Sequence, residues 1–225
     1  MGERRVIQTN DGSSSVIDSF LNASFHSVHG ALTESNHVYI NSGLSQFQNS
    51  LEPIRIFEFG FGTGLNTFLS FIFGHKHAIS IAYTAIDSHI LENDLVSQLD
   101  YPKHPLLLPY SDSFFLIHQQ DWNQTMQLSH GFSLHKIKSD WNAYVPDEIN
   151  VYDLVFFDAF GPEVQPELWD INSLQKIYSM MKPGGILCTY CAKGSVKRLL
   201  KQIGFGLESL PGPPGKREIS RAIKL

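Results

Sequence analysis

Apolar residues fall along this chain of 225 residues in short runs parted by polar turns, with no long continuous stretch. Ile54-Arg55-Ile56-Phe57 leads into a glycine-rich segment and then into Leu65, Phe68, Leu69 and Ile72 at helical spacing, which predicts strand, turn, helix. A second strand is expected from Ile79 to Ile86, ending at Asp87. The alternating segment from Phe132 to Lys138 predicts a third strand just before Asp140, and the apolar run from Val151 to Phe157 a fourth that ends at Asp158. A helix over Ile171 to Met181, stopped by Lys182-Pro183-Gly184-Gly185, precedes a fifth strand over Ile186 to Cys191. Near-continuous apolar strands are those covered on both faces of a parallel sheet, and strands that alternate with helices build a doubly wound α/β fold. With 42% hydrophobic residues the chain can bury one sizeable core. The expected division is a small β-rich N-terminal appendage over residues 1–50 and one α/β domain over residues 51–225.

The glycine-rich segment is Glu58-Phe59-Gly60-Phe61-Gly62-Thr63-Gly64-Leu65-Asn66. Gly60, Gly62 and Gly64 let backbone pass close to a ligand while the first N–H groups of the helix point at it. The spacing is G-x-G-x-G, not the G-x-G-x-x-G of dinucleotide sites, and the acid Glu58 stands two places before the first glycine. A carboxylate there suits the ammonium of a sulfonium amino acid better than a pyrophosphate. The expected ligand is therefore S-adenosylmethionine (SAM); the plainer alternative is an ordinary tight turn.

Three further acids stand at strand ends, where open α/β sheets hold their ligands. Asp87 is expected at the ribose hydroxyls, or else as a helix cap. Asp140 is expected at the adenine amine, with a helix cap again the alternative. Asp158 begins Asp158-Ala159-Phe160-Gly161-Pro162, where Gly-Pro blocks helix continuation and forms a loop beside the transferred methyl. A buried structural Asp is the alternative there. K-P-G-G before a strand is also a habit of class I SAM-dependent methyltransferases, whose Rossmann-like, mostly parallel sheet is the fold expected here.

The net charge of −5 hides an asymmetry: from Lys182 onward nine Lys or Arg face only Glu208 and Glu218, a net +7, which leaves −12 in the first 181 residues. A basic C-terminal third suits a polyanion. Lys193, Lys197, Arg198, Lys216 and Arg217 are its candidate contacts, with Lys216 and Arg217 on a stiff loop after Pro211-Gly212-Pro213-Pro214-Gly215. A solvated helix face is the alternative for Lys197 and Arg198. Cys188 and Cys191 are three apart on a predicted strand and so point to opposite faces, which suits neither a disulfide nor a shared ion. No metal is expected, and His26, His29 and His37 are read as surface or substrate-side residues. No run is apolar enough to span a bilayer and the first residues do not look like a signal peptide, so a soluble cytoplasmic protein is expected.

The motifs together resemble the methyltransferase half of the tRNA 5-methylaminomethyl-2-thiouridine biosynthesis proteins MnmC and their stand-alone relatives, MnmD. The resemblance rests on Phe59 to Asn66, on Asp158-Ala159-Phe160-Gly161-Pro162 with Pro166, Leu168 and Trp169, and on Gly215-Lys216-Arg217-Glu218. Thr9 to Ser13, His26-Ser27, His29-Gly30-Ala31, Glu34-Ser35 and His37-Val38-Tyr39-Ile40 resemble the family's N-terminal segment. It implies SAM as cofactor, held by Glu58, Gly60, Gly62, Gly64, Asn66, Asp87, Asp140 and Asp158, with Asp158 catalytic and Phe160 on the substrate side. It further implies N-methylation of an aminomethyl group on a wobble uridine, docking on the tRNA anticodon stem-loop, and contact with a separate oxidase or other tRNA-modifying enzymes, since 225 residues leave no room for a flavin oxidase domain. An alkyl amine titrates near pKa 9 to 10 and an ordinary Asp near 3.9, so Asp158 is expected to orient the amine rather than to deprotonate it outright. The competing readings are a methyltransferase of a small-molecule amine, an NAD(P) oxidoreductase, which the glycine spacing and Glu58 disfavour, and a non-catalytic RNA-binding protein, which the retained acids disfavour.

Overall fold

A computed structural model describes residues 3–225 as two sheets and their covering helices. Strands β1 (Arg4–Gln8), β2 (Ser14–Asp18) and β3 (Ala23–Ser24) form a small antiparallel sheet. Helix α1 (Ala31–Ser35) runs on into a wider turn of helix over Asn36–Asn41, and a 3-10 turn over Leu44–Phe47 follows. The main domain then runs β4 (Ile54–Phe59), α2 (Leu65–His77), β5 (Ile81–Asp87), α3 (Asn93–Val96), α4 (Ser111–Gln119), β6 (Thr125–Ser129), β7 (Phe132–Lys138), β8 (Tyr152–Phe157), α5 (Ile171–Met180), β9 (Met181–Thr189), α6 (Gly194–Ile203), β10 (Phe205–Pro211) and β11 (Glu218–Lys224).

The eight-stranded sheet has the order β10-β11-β9-β8-β4-β5-β7-β6. Its central strands β9, β8, β4, β5 and β7 pair in parallel, while β6 and the β10–β11 hairpin add antiparallel edges. From β4 the chain moves outward through β5 to β7, then returns to β8 on the other side. The switch point therefore lies between β4 and β8, and the C-terminal ends of those strands open the crevice where such sheets hold ligands. All five expected central strands are present. The edge strands carry no clear signal because each has one bare side: β6 reads Thr-Met-Gln-Leu-Ser and is half exposed. Lys182-Pro183-Gly184-Gly185 does not form a loop after the helix but lies inside β9, where a register shift against β8 absorbs it and Gly184 takes φ +77°.

One face of the sheet packs Phe68, Phe114 and Leu134 beneath α2 and α4; the other packs Phe57, Phe157, Leu174, Ile177 and Leu200 beneath α5 and α6. Cys188 belongs to the first core and Cys191 to the second, both as free thiols. Only residues 4–24 of the first fifty are strand-rich. The helical stretch that follows is core material: Val38, Tyr39 and Leu44 are buried, and the Tyr39 ring meets Phe156 of β8 at 5.1 Å between centroids. Lys136 is buried as well, its ammonium donating to the carbonyls of Ile117 and His118 at the end of α4. Among the described residues no helix is long and apolar enough to cross a membrane, and no three His, Cys, Asp or Glu are grouped to hold a metal.

Candidate active site

The turn between β4 and α2 is fixed from three sides. Gly60 sits at φ +89°, and a Cβ there would lie 2.8 Å from the carbonyl oxygen of Asp158. Gly62 sits at φ +51°, with its missing Cβ aimed at Phe25, 3.1 Å away, and its N–H donates to Asp87 Oδ2 at 2.9 Å. Asp87 Oδ1 accepts from the N–H of His89 at 2.7 Å, so one carboxylate ties the turn to the end of β5. The His26 ring meets Thr63 Oγ1 at 2.7 Å, and His118 Nε2 meets the Thr63 carbonyl at 3.1 Å. Of the two places expected for His26, surface or substrate side, it is not on the surface: it is a buried clamp that also lines the ligand cleft, and burial holds its ring neutral, lowering its pKa to about 4.

These elements enclose a cleft of about 290 Å³. Asp158 lines it, just past β8, with each oxygen engaged: Oδ1 accepts from the Tyr39 hydroxyl at 2.6 Å and Oδ2 from Asn66 Nδ2 at 2.8 Å. Burial pushes its pKa up to about 7 and the charge of Glu34 adds to that, against the two donors and Lys216, which oppose it. The backbone behind it is pinned. Asp158 N–H donates to the Phe59 carbonyl at 3.0 Å, Tyr190 donates to the Ala159 carbonyl at 2.8 Å, and Trp169 donates its indole N–H to the Phe160 carbonyl at 2.7 Å. The Phe160 ring stands edge-on to Phe25 at 5.1 Å.

Of the residues expected from sequence, Gly60, Gly62, Asn66, Asp87, Asp140, Asp158, Phe160 and Lys216 line the cleft. Asp140 is exposed there and accepts from the Asn142 N–H at 2.7 Å. Gly64 lies behind the lining, packed toward His118. Glu58 does not line it at all: strand alternation turns its side chain beneath α2, where it is fully buried and accepts from Thr67 Oγ1 at 2.9 Å. Lys193 pairs with Glu163, and Lys197 pairs with Glu218 at 2.8 Å; both lie off the cleft, as do the exposed Arg198 and Arg217. Lys216 donates to Glu34 Oε1 at 2.5 Å and sits 3.9 Å above the Tyr190 ring, while Glu34 Oε2 accepts from the Ser27 N–H.

Tyr39, Glu34, Phe25, Trp141 and Tyr190 had no assigned role from sequence. Tyr39 reads as one more apolar position in Val38-Tyr39-Ile40, and 119 residues separate it from the carboxylate it binds. Only the fold reveals that pairing.

A family described as S-adenosyl-L-methionine-dependent methyltransferase matches residues 112–225. The tRNA 5-methylaminomethyl-2-thiouridine biosynthesis bifunctional protein MnmC of Cupriavidus metallidurans is 27% identical over 210 residues, 88% of this chain and 31% of that protein. The MnmC of Leptospira interrogans is 28% identical over 208 residues, 87% of this chain and 31% of that protein. The chain thus spans about a third of the length of these curated relatives. The crystal structure of MnmC2 from Aquifex aeolicus superposes with a TM-score of 0.82 at 22% identity, over 99% of this chain and 70% of that one, and so shares the fold. With the switch-point cleft, the glycine turn and the family match over its C-terminal half, this chain belongs to the S-adenosyl-L-methionine-dependent methyltransferases.

Proposed function

We propose that this chain methylates the 5-aminomethyl group of a wobble uridine, with or without 2-thiolation, in tRNA, giving 5-methylaminomethyluridine. The observation that carries the reading is Asp158: a carboxyl that burial brings to about 7, held by two donors in the wall of a SAM-type cleft. The similarity to MnmC proteins over most of the chain supplies the substrate class.

The cleft fits the cofactor. Gly60 and Gly62 leave bare backbone for its amino acid part, and Asp87 keeps lone pairs for a ribose diol. Asp140 lines the part of the cleft left for the base. When bound, SAM supplies an electrophilic methyl whose transfer to nitrogen releases the thioether. The protein's task is to hold an amine lone pair in line with it, and most of the rate enhancement comes from that positioning. Asp158 receives the ammonium as a hydrogen-bond partner and takes its proton. From an amine near pKa 9 to 10 to an ordinary Asp that transfer is uphill by about 7–8 kcal/mol; to a carboxyl near 7 it is uphill by only about 3–4 kcal/mol. In this environment Asp158 is a usable base as well as an orienting group. The rings of Phe25 and Phe160 flank the approach and suit a base turned out of a single-stranded loop.

Calorimetry with the purified chain is expected to show SAM binding and no NADH binding; the reverse result would remove the methyltransferase reading. Methylation of bulk tRNA from a strain blocked at the aminomethyl stage, followed by nucleoside analysis, tests the substrate. Transfer to free alkyl amines but not to that tRNA would favour the small-amine alternative, which Asp158 also suits.

For the tRNA surface, Lys197 and Lys216 already hold carboxylates, so exposed Arg198 and Arg217 are the better candidates for phosphate contacts around the anticodon stem-loop. Arg198→Glu/Arg217→Glu is expected to weaken binding of all tRNAs alike and to make the salt dependence shallower by about 0.9 for each phosphate that is no longer neutralised. An unchanged slope would place the RNA elsewhere. Docking beside an oxidase or another tRNA-modifying protein belongs to the same proposal.

A further inference from the structure

One lysine–glutamate pair lies in the wall of the cleft and belongs neither to the cofactor turn nor to the outer basic surface. Glu34 of α1 is 6% exposed and Lys216 comes from the turn between β10 and β11, yet both line the cleft with Asp158, Phe160 and Tyr190. Lys216 Nζ donates to Glu34 Oε1 at 2.5 Å and stands 3.9 Å above the Tyr190 ring, while Glu34 Oε2 accepts from the Ser27 N–H at 2.8 Å. The turn that carries Lys216 is itself clamped. Lys216 N–H donates to the Pro213 carbonyl at 2.9 Å, Gly212 N–H donates to the Arg217 carbonyl at 3.1 Å, and the His37 ring meets the Pro211 carbonyl at 2.7 Å. Gly215, at φ +84°, lies so close to His29 that any side chain would collide with that ring. A free surface pair has no such support and contributes little.

Lys216 is the one Lys or Arg in the cleft wall among the described residues. Alone, a cation there would suit a carboxylate or a phosphate. Paired with Glu34 it brings no net charge, and what remains is a pattern: N–H donors beside a carboxylate acceptor. The complement of that pattern is a neutral acceptor beside an N–H donor, which is the O4 and N3–H edge of a uracil ring. Its place agrees. The charges of Glu34 and Lys216 both act on Asp158, the group assigned to the amine. In a 5-aminomethyluracil the arm leaves the ring at the carbon next to C4, so O4 is the first polar ring atom met from the amine and N3–H is the second.

We propose that Lys216 and Glu34 are specificity-determining residues that read the edge of the acceptor base, the Lys216 ammonium donating to O4 and the Glu34 carboxylate accepting from N3–H. Cytosine presents the opposite pattern along this edge, an amino donor at C4 and an acceptor at N3, and would set donor against donor and acceptor against acceptor. The inference rests on the reading of the substrate as an aminomethyluridine and adds how that base is told from others bearing the same amine.

The test uses two anticodon stem-loop RNAs that differ only at the wobble base, 5-aminomethyluridine in one and 5-aminomethylcytidine in the other. Wild type is expected to prefer the uridine RNA by about 10²-fold or more in kcat/KM, because a site built to hydrogen-bond its substrate rejects an analogue that leaves its polar groups unpaired. Methylating N3 of the uridine removes the donor that Glu34 accepts, and is expected to lower wild-type kcat/KM at least about tenfold. Equal turnover of all three RNAs would overturn the proposal and leave the methyltransferase reading intact. Loss of Lys216 alone would strand a buried carboxylate, so the variant is Glu34→Gln/Lys216→Met, in which the glutamine oxygen keeps the Ser27 N–H. It is expected to lose about 10²-fold on the uridine RNA and little on the cytidine RNA, with SAM affinity within about threefold of wild type. A merely structural pair would lower both RNAs by one factor and leave the preference unmoved, which would overturn the proposal. So would a more than tenfold loss of SAM affinity, which would put Lys216 on the cofactor carboxylate. If neither RNA is methylated, calorimetry of free 5-aminomethyluracil and 5-aminomethylcytosine on wild type saturated with S-adenosylhomocysteine separates the claims. Uracil-selective binding that the variant loses keeps the pair and removes only the tRNA reading; no selectivity removes both.

Discussion

Asp158→Asn is expected to lower turnover by roughly 10² or more while leaving SAM affinity within a few fold, the pattern produced when an electrostatic contact to the reacting atom is removed. The substitution keeps the volume and the Tyr39 contact through its oxygen. It removes the charge and the base, and it sets an amide NH2 against the Asn66 Nδ2 that now donates to Asp158 at 2.8 Å. The pH profile separates charge from shape. Wild-type kcat/KM should climb as pH rises through about 7, where Asp158 ionises, and this inflection should vanish in the variant. Stability should move the other way. Asp158 keeps its proton in the fold up to about 7 but loses it near 3.8 when unfolded, so the native state binds more protons over that window and stability falls as pH rises through it. Asp158→Asn escapes that loss, so its melting temperature should gain on that of wild type as pH rises from 4 to 8. Steady-state kinetics on aminomethyl tRNA with calorimetric SAM titration decide the matter, and near-normal kcat in the variant would reduce Asp158 to a structural acid.

Of the sheet's central strands, β4, β5, β7 and β8 are readable because each carries an apolar run or alternation and ends in, or is followed within two residues by, a glycine or an acid, so the period and its punctuation agree. Strand β7 matches the expected Phe132 to Lys138 residue for residue. What stays hidden belongs to two kinds of interaction. Edge strands such as β6 and β10 have one bare side and carry mixed residues, which removes the periodic signal. The second kind is long-range: the Tyr39 hydroxyl on Asp158, the His26 ring on Thr63 and the Lys216 ammonium on Glu34 join residues 119, 37 and 182 positions apart. Those three contacts bring the N-terminal segment into the site, which makes a boundary at residue 50 a feature of the chain's wording more than of its packing. Glu58 shows the limit of motif reasoning from the other side. Its place before the glycines suggests a ligand contact, yet alternation along β4 sends it into the interior, and the lysines grouped by charge hold acids from distant elements.

Gly62→Val should abolish measurable SAM binding. At φ +51° a β-branched residue sits in a region that costs of order 1–3 kcal/mol, and the cost alone would be survivable. The damage is directional. A Cβ at Gly62 meets Phe25 at 3.1 Å before the two extra methyls are added, so Phe25 must swing away and releases its edge contact with Phe160. Relief by backbone rotation instead pulls the Gly62 N–H off Asp87 Oδ2, which frees the turn from β5 and disorganises the carboxylate expected at the ribose. Either path deforms the cleft floor. Gly184→Ala is the matching control: Gly184 has φ +77°, its Cβ would meet nothing within 4 Å, and it lies outside the cleft. That variant should lose some stability through backbone strain alone and bind SAM as wild type does. Calorimetry on both, with circular dichroism to confirm folding, reads the difference; a folded Gly62→Val that still bound SAM with wild-type affinity would mean that the cofactor does not lie along this turn.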